Sequence, residues 1–401
     1  MKVYVSACGI GNGHMARCDP LISHLMRSGI DVLVSTYSDG YAYALRRGFR
    51  TVRALSINYR TKPDGSVDFK RTATSSGFSL GVHRFLKQLV REIEYMKWYK
   101  PDVVISDSRA SSLIAAKLLG IPCALILNQF RIRIVKAPSN GSLGLSDRIF
   151  FLIANHAWIY LGVLLSCIWE LADRIFIPDF PPPLTISEGN LRLPRRALRK
   201  VEFVGPMVRL EDGNERDRIL RELGLGGDKP LIYLAVSGPR KERQFLVDKL
   251  EVMLKSDLMR RSGYQFVMSC GDPLGRSSKR FGNVVIFDWV DDQDALMRAS
   301  KVVLCRAGHG TIMKCISLGK PMILVPTPDH TEQYGNAEKV ERLGLGRVLH
   351  QKDLSEVALL SVIEDLVGKR IEFKLRGEGD AFSRIIDYIN LHRRGEQSPA
   401  H

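Results

Sequence analysis

A chain of 401 residues is too long for one ordinary hydrophobic core and fits two domains of roughly 200 residues each. With 45% apolar and 25% charged residues, the composition excludes a wholly disordered or collagen-like protein. The net charge of +16 is lopsided: residues 1–200 hold 28 Lys and Arg against 14 Asp and Glu, whereas residues 201–401 hold 31 against 29.

The first half therefore creates a field that draws anions: phosphates, nucleic acid or an acidic membrane surface. Nucleic acid is the weakest of these. The chain has no helix-turn-helix or zinc-finger spacing, and its charge is not interleaved with aromatic platforms. The seven cysteines form no CxxC pair, which argues against a zinc knuckle or redox dithiol. Cys8, Cys123, Cys270 and Cys305 lie in or beside apolar runs and are expected as small buried hydrophobes in a reducing compartment.

The opening MKVYVSACGIGNGH reads as a first strand over 2–7, not as a signal peptide, because no apolar stretch leads to a small-residue cleavage site. A helix over 15–28, a strand over 31–36 and a short helix over 41–47 follow. Residues 57–81 are polar, with Gly, Ser and Thr throughout, and read as a long loop or a ragged insertion, of the kind that is often functional. An amphipathic helix over 82–99 leads to the strand DVVIS at 102–106, a helix over 110–119 and a strand over 123–127. Strands that are apolar without interruption, alternating with helices, predict a parallel sheet covered on both faces.

Residues 150–169, FFLIANHAWIYLGVLLSCIW, form the most hydrophobic window. Their length reaches the membrane-spanning range, but Asn155 and His156 sit inside. Three readings stay open: a buried helix, a helix dipping into a membrane, or a span that would set the two halves on opposite sides of a bilayer. An exposed apolar face would suit a lipid substrate, and the basic first half would help hold it to anionic lipid.

A Pro-rich basic stretch over 178–200 carries the chain to a strand over 201–204 and a hinge at Gly205–Pro206. The pattern then restarts. Strands are expected over 231–235, 264–269, 284–287, 301–305 and 322–325, and helices over 244–254, 291–299, 310–318 and 333–343. Closing helices follow over 353–367 and 376–391. The expected lobes are 1–204 and 205–391, with a frayed tail at 392–401. Two such sheets in series leave a cleft between domains, where ligands bind.

Three constellations carry chemistry. In Gly9–Ile10–Gly11–Asn12–Gly13–His14, between the first strand and first helix, glycines let backbone N–H groups approach an anion. The spacing is not the dinucleotide fingerprint, since His14 takes the last glycine position. His14 is a candidate general base or acceptor-orienting group, and a capping histidine is the plainer alternative. In Arg306–Ala307–Gly308–His309–Gly310–Thr311, the amides of Gly308–Thr311 can hold a diphosphate, with the Thr311 hydroxyl as a further donor. No G-K-[ST] follows, so this is not a Walker A loop. Glu332 and Gln333 open the helix after the MILV strand, where a carboxylate and an amide suit sugar hydroxyls; first-turn acidity alone would also explain Glu332.

Together with Gly205–Pro206, Ser237–Gly238 and the run RAGHGT…GKPMILVP…HTEQYGNA, these residues resemble the glycosyltransferases of the GT-B fold. The likeness is to the group holding the UDP-N-acetylglucosamine transferase of peptidoglycan-precursor synthesis and the plant galactolipid synthases. It spans nearly the whole chain and is strongest over 306–337. The resemblance implies two Rossmann-like parallel-sheet domains facing across a cleft. The first would bind the acceptor and the second a nucleotide-sugar donor.

It also implies roles. Gly308, His309, Gly310 and Thr311 would hold the donor diphosphate, with Arg306 and Asn336 in the same motifs. Ser237 and Gly238 would approach those phosphates, and Gly11, Asn12 and Gly13 would face them from the first lobe. Phe287–Asp288–Trp289–Val290 would bound the base pocket, with the backbone groups of Val290 reading a uracil edge. Glu332 and Gln333 would contact the donor sugar. The family places a ribose-bonding glutamate where this chain has Lys314, and a lysine cannot accept those bonds.

The implied reaction is an inverting displacement from a UDP-sugar, requiring no metal or other cofactor. His14 is the first candidate base and Asp107, at the end of DVVIS, the second. A carboxylate behind His14 would raise its basicity. The basic lobe and the apolar segment suggest a lipid or polyprenyl-linked acceptor and a peripheral place on the cytoplasmic face of a membrane. The alternatives are a nucleotide-sugar 2-epimerase and a non-catalytic nucleotide-sugar or lipid-binding subunit.

Overall fold

The structure, a computed structural model, describes residues 1–56, 78–130, 149, 160–208, 216–371 and 381–393. Most of the expected polar loop over 57–81, much of the apolar window over 150–169 and most of the tail 392–401 lie outside these residues.

The first lobe is a seven-stranded sheet of β1 (Lys2–Ala7), β2 (Asp31–Thr36), β3 (Thr51–Arg53), β4 (Val103–Asp107), β5 (Cys123–Ile126), β6 (Arg174–Ile177) and β7 (Val201–Phe203). All pairings are parallel, in the order β3-β2-β1-β4-β5-β6-β7. Four helices matter for the site: α1 (Gly13–Arg27), α2 (Ser38–Arg46), α3 (Phe78–Tyr99) and α4 (Ala110–Leu118). Successive strand residues point to opposite faces, and both faces are covered. Val3, Val5, Val34 and Ile105 pack with Leu21 and Ile22 of α1, while Tyr4, Leu33 and Val104 pack with Met96 of α3 and Leu113 of α4. Burial on both faces is why these strands lack a polar alternation.

The second lobe repeats the plan with β8 (Leu231–Ala235), β9 (Gln265–Ser269), β10 (Ser278–Phe281), β11 (Val284–Phe287), β12 (Val302–Cys305), β13 (Met322–Leu324) and β14 (Gly346–Val348). Their order is β10-β11-β9-β8-β12-β13-β14, parallel except for the antiparallel β10–β11 pair. Its helices include α5 (Arg240–Leu254), α6 (Gln293–Ala299), α7 (His309–Ser317), α8 (Thr331–Arg342) and α9 (Glu356–Val367). The two-lobed parallel architecture expected from the sequence is the one observed.

Four strands were not expected from the sequence. β10 reads SKRF and is largely exposed, as suits an edge. β3 and β14 have three residues each, and a Cβ on Gly346 would lie 2.3 Å from the Met322 carbonyl oxygen, so β14 depends on a glycine. β6 is hidden between the apolar window and the Pro-rich stretch. β4 extends one residue beyond the expected strand, so Asp107 is its last member and fully buried.

The expected second-lobe range includes the closing helix α10 (Ala381–Leu391), yet this helix lies against the first lobe. Phe382, Ile385, Tyr388 and Ile389 pack with Val3, Val103 and Phe176. In both sheets the strand order reverses beside the first strand, and the loops at those carboxyl ends line the cleft: 8–14 after β1, 108 after β4, 236–239 after β8 and 306–311 after β12.

Ile385 is fully buried and Leu391 is 81% exposed. Ile385→Ala should therefore destabilise the fold by about 2–5 kcal/mol, and Leu391→Ala by no more than about 0.5 kcal/mol. Equal small effects in chemical denaturation would contradict the docking of α10.

Candidate active site between the lobes

A cleft of about 870 Å³ lies between the two sheets and is lined from both. Small-molecule sites span roughly 300–1,000 Å³.

The first-lobe wall starts at the turn after β1. A Cβ on Gly9 would fall 1.8 Å from the Tyr37 carbonyl oxygen, so only glycine fits. Gly11 adopts φ +67° and approaches Gly238 so closely that a Cβ would lie 3.5 Å from its Cα. Asn12 donates from Nδ2 to the Gly271 carbonyl at 3.1 Å. The turn thus abuts the second lobe, and α1 begins at Gly13 with His14 in its first turn.

Asp107 stands behind His14. Its Oδ1 lies 2.7 Å from His14 Nδ1, and Arg17 binds both carboxylate oxygens, Nη2 to Oδ1 at 2.6 Å and Nε to Oδ2 at 2.8 Å. Cys18 Sγ adds a contact to Oδ2 at 3.4 Å. Arg17 Nη2 also lies 3.2 Å from His14 Nδ1. With Nδ1 donating to Asp107, that pair joins two donors and is packing rather than a bond. Burial would push the Asp107 carboxyl up, but Arg17 and then His14 outweigh it and hold the group well below the ordinary carboxylate range. Asp107 does not line the cleft, and His14 stands between this second candidate base and the cleft. The His14 side chain is 27% exposed, and its Nε2 is the ring nitrogen left for an acceptor. Burial pushes the Cys8 thiol up, which leaves this cleft residue a poor nucleophile.

The second-lobe wall is built from backbone. Gly308 caps α7 without a side-chain bond to the helix N-terminus, so the first amides of α7 keep their N–H groups for an anion. Gly308, His309, Gly310 and Thr311 all line the cleft, as do Ser237 and Gly238. His309 Nε2 meets Asp179 Oδ2 at 3.1 Å. Asp179 also accepts the backbone N–H groups of Phe180, Ile186 and Ser187, which anchors the glycine loop to the segment leaving β6.

Several expected ligands have other duties. Arg306 reaches the cleft, but its guanidinium donates to the carbonyls of Val325 and Glu242 at 3.2 and 3.1 Å, and burial lowers it to about 10. It braces the loop. Asn336 holds the Ala307 carbonyl at 3.1 Å and does not line the cleft. Val290 is packed against the second-lobe core. Gln333 lines the cleft while its Oε1 takes the Thr327 amide at 2.8 Å. Glu332 accepts from Asn128 Nδ2 at 3.1 Å, bridging the lobes. Trp289 lines the cleft, with Tyr43 edge-on at 5.7 Å and the Arg46 guanidinium 5.7 Å from its ring centre. Lys314 is paired with Asp294 at 2.6 Å.

The triplet Asp292–Gln293–Asp294 has D-x-D spacing. Its first carboxylate caps α6 by accepting the Ala295 amide, and its second pairs with Lys314. Among the described residues no group of three or more His, Cys, Asp and Glu is placed to hold a metal.

Sequence reasoning missed Arg17, Asn128, Asp179 and Asp294. Arg17 was findable: three residues after His14, it shares the same helix face. Asn128 and Asp179 follow the ends of β5 and β6, where the carboxyl-edge rule places functional groups.

Residues 1–150 match the profile of glycosyl transferase family 1, and residues 243–380 match the glycosyltransferase family 28 C-terminal domain. An uncharacterized glycosyltransferase of Methanosarcina acetivorans is 30% identical over 375 residues, covering 91% of this chain and 90% of its own. The chain belongs to the glycosyltransferases. The glycosyltransferase is also 24% identical to the UDP-N-acetylglucosamine–N-acetylmuramyl-(pentapeptide) pyrophosphoryl-undecaprenol N-acetylglucosamine transferase of Caldicellulosiruptor saccharolyticus, over 71% of this chain and 69% of that one. Its fold matches the crystal structure of CalG4, the calicheamicin glycosyltransferase, with a TM-score of 0.60, 17% identity and 99% of each chain covered. The fold is GT-B, and the activity is transfer of a sugar from a nucleotide-sugar donor.

Asp107→Asn keeps the size of the side chain but removes the charge that orients His14 and neutralises Arg17. The glycosyltransferase should lose about 10²–10⁴-fold in kcat with KM little changed, read by steady-state kinetics on protein of native circular dichroism. The depressed Asp107 carboxyl stabilises the fold above its unfolded pKa, and this contribution is lost as pH falls through the folded value. Asp107→Asn should therefore flatten the decline of Tm on acidification below about pH 4.

Proposed function

We propose that the protein is an inverting hexosyl- or N-acetylhexosaminyltransferase that uses a UDP-sugar and a lipid- or polyprenyl-linked acceptor. The arrangement that carries this reading is the His14–Asp107 pair facing the N-terminus of α7, which no side chain caps, across one cleft. The acceptor oxygen gives its proton to His14 Nε2 as it attacks the anomeric carbon. The bond to the nucleoside diphosphate breaks on the opposite face, so configuration inverts. The α7 amides and the Thr311 hydroxyl stabilise the charge that grows on the departing diphosphate.

Two features support an amphiphilic acceptor and peripheral attachment to the cytoplasmic face of an anionic membrane. The first half carries nearly all of the excess positive charge. Its helices also expose apolar side chains: Val82, Leu86 and Val90 recur every four residues along α3, and Tyr160, Val163 and Leu164 stand out from the helix over 160–169. No described helix is long and apolar enough to cross a membrane.

Gly310 is a clean probe of the donor site. A Cβ there would meet only the Gly13 carbonyl oxygen, at 3.9 Å, so Gly310→Asp should fold while setting a negative charge against a diphosphate. In calorimetric titrations with UDP, GDP, ADP and TDP, wild type should favour UDP, and Gly310→Asp should weaken it at least about tenfold. Turnover of a UDP-sugar should require a lipid acceptor and give the inverted anomer by NMR. Release of an altered sugar without acceptor would indicate the epimerase, and binding without turnover on any acceptor the non-catalytic subunit. Leu86→Ser/Val90→Ser should lower binding to anionic vesicles and leave UDP affinity unchanged.

A further inference from the structure

The first-lobe wall holds three neutral polar side chains that the chemistry above does not use. Ser108 follows β4, Gln129 follows β5, and Asn190 lies in the helical turn Glu188–Leu191; all three line the cleft. Among the described residues none of the three makes a side-chain hydrogen bond. Their neighbours are engaged. Ser106 and Ser112 donate to the Arg109 carbonyl, Ser111 donates to Gln88, and Asn128 is held between Arg17 and Glu332. Asn190 is only 5% exposed, and a carboxamide that deep in a protein ordinarily has a partner.

Ser108 stands there against its backbone preference. It adopts φ +56°, the left-handed region that L side chains seldom enter and glycine enters freely. The turn follows from its two neighbours. Asp107 points to the α1 face, where Arg17 and His14 bind it, and Arg109 points to the α3 face, where it pairs with Glu92. In a continuing strand residues 107 and 109 would share one face. The left-handed residue between them separates the two, and its amide is tied to the Ile126 carbonyl at 3.1 Å. Glycine would make this turn without strain; serine adds a hydroxyl to the cleft, one residue from the carboxylate that holds His14. Strand order then sets the groups in a row. β1, β4 and β5 are neighbours, so the loops carrying His14, Ser108 and Gln129 step sideways by about 4.8 Å each, about 10 Å in all. Trp169 continues the wall, packed in one cluster with Leu127 and Leu191, the neighbours of Asn128 and Asn190.

Resting on the reading of a glycosyltransferase with an amphiphilic acceptor, we propose that Ser108, Gln129 and Asn190 hold the acceptor by hydroxyls beside the one that reacts, so that its head is a polyol, a sugar or a glycerol, and not a lone hydroxyl on an apolar skeleton. A hydroxyl and two carboxamides each donate and accept, as the hydroxyls of a polyol do. His14 Nε2 takes the proton of the reacting hydroxyl, while bonds from Ser108 and Gln129 to its neighbours fix which hydroxyl that is. Asn190 and the indole of Trp169 meet the far side of the head, one polar and one largely apolar. A lone hydroxyl would use His14 and leave the other three groups against an apolar skeleton without partners. A site built for hydroxyls rejects the analogue that lacks them.

The test is calorimetry on the full chain, with and without saturating UDP, using three probes that share an eight-carbon chain: octyl β-glucoside, 1-octanoylglycerol and 1-octanol. The first two carry a sugar and a glycerol head, and the third a lone hydroxyl. Wild type should bind one of the polyol probes at least about tenfold more tightly than octanol, and the tighter of the two identifies the head. Ser108→Gly, which keeps the left-handed turn, should weaken that probe at least about threefold, as should Gln129→Ala and Asn190→Ala, with octanol and UDP unaffected. Octanol binding as tightly as both polyol probes, a preference that survives in all three variants, or no binding of any probe would overturn the proposal. The wild-type comparison needs no variant to fold. Failure of UDP itself to bind is a separate result: it would overturn the donor reading, and the probes run without UDP would still decide this one.

Discussion

The cleft is organised around a carboxylate that never meets solvent. Asp107 ends β4 beside the point where the first sheet reverses its strand order. Burying a lone charge there would cost several kcal/mol. Arg17 offsets it with a two-pronged ion pair, and His14 takes the remaining approach to Oδ1. Because His14 and Arg17 share one face of α1, the contacts that make the charge tolerable also set the rotation of α1 and its distance from β4. The glycine turn that leads into α1 inherits that position, and with it the close approach of Gly11 to Gly238 and of Asn12 to Gly271. One buried charge thus orients the imidazole and fixes how the lobes meet.

The contacts between lobes fall into two strengths. Arg46–Asp291 is largely solvent-exposed on its acidic side, and such pairs contribute about 0–1 kcal/mol. His309–Asp179 is buried on both sides, and the segment after Asp179 sends Phe180 and Ile186 into the second-lobe core. Opening the cleft would break the exposed contacts at small cost and leave the buried ones as the pivot. Trp289, held between Tyr43 and Arg46, lies on the side that opens.

What the sequence shows and hides follows from how far each interaction reaches along the chain. Strands buried on both faces announce themselves as apolar runs, and glycine turns before helices mark both walls of the cleft. His14 and Gly308–Thr311 were legible for that reason. Asp107 was legible as a residue but not as a partner, because His14 lies 93 positions away. The same holds for Asn128 with Glu332 and for α10, whose amphipathic pattern does not say which lobe it covers. Motif resemblance locates a residue without giving the direction of its side chain. Asn336 sits in the right segment, yet its amide braces a backbone carbonyl.

The two walls are made of different material, and this bears on how such an enzyme changes. The second-lobe side presents main-chain N–H groups at a helix start, which survive most substitutions so long as the glycines remain. On the first-lobe side the wall rests on three linked side chains, His14, Arg17 and Asp107. A displacement reaction tolerates this split, because stabilising a departing diphosphate and choosing an acceptor are separate tasks performed on opposite faces of one carbon. The matches of this chain divide the same way: its first 150 residues fit one glycosyltransferase family and residues 243–380 fit another.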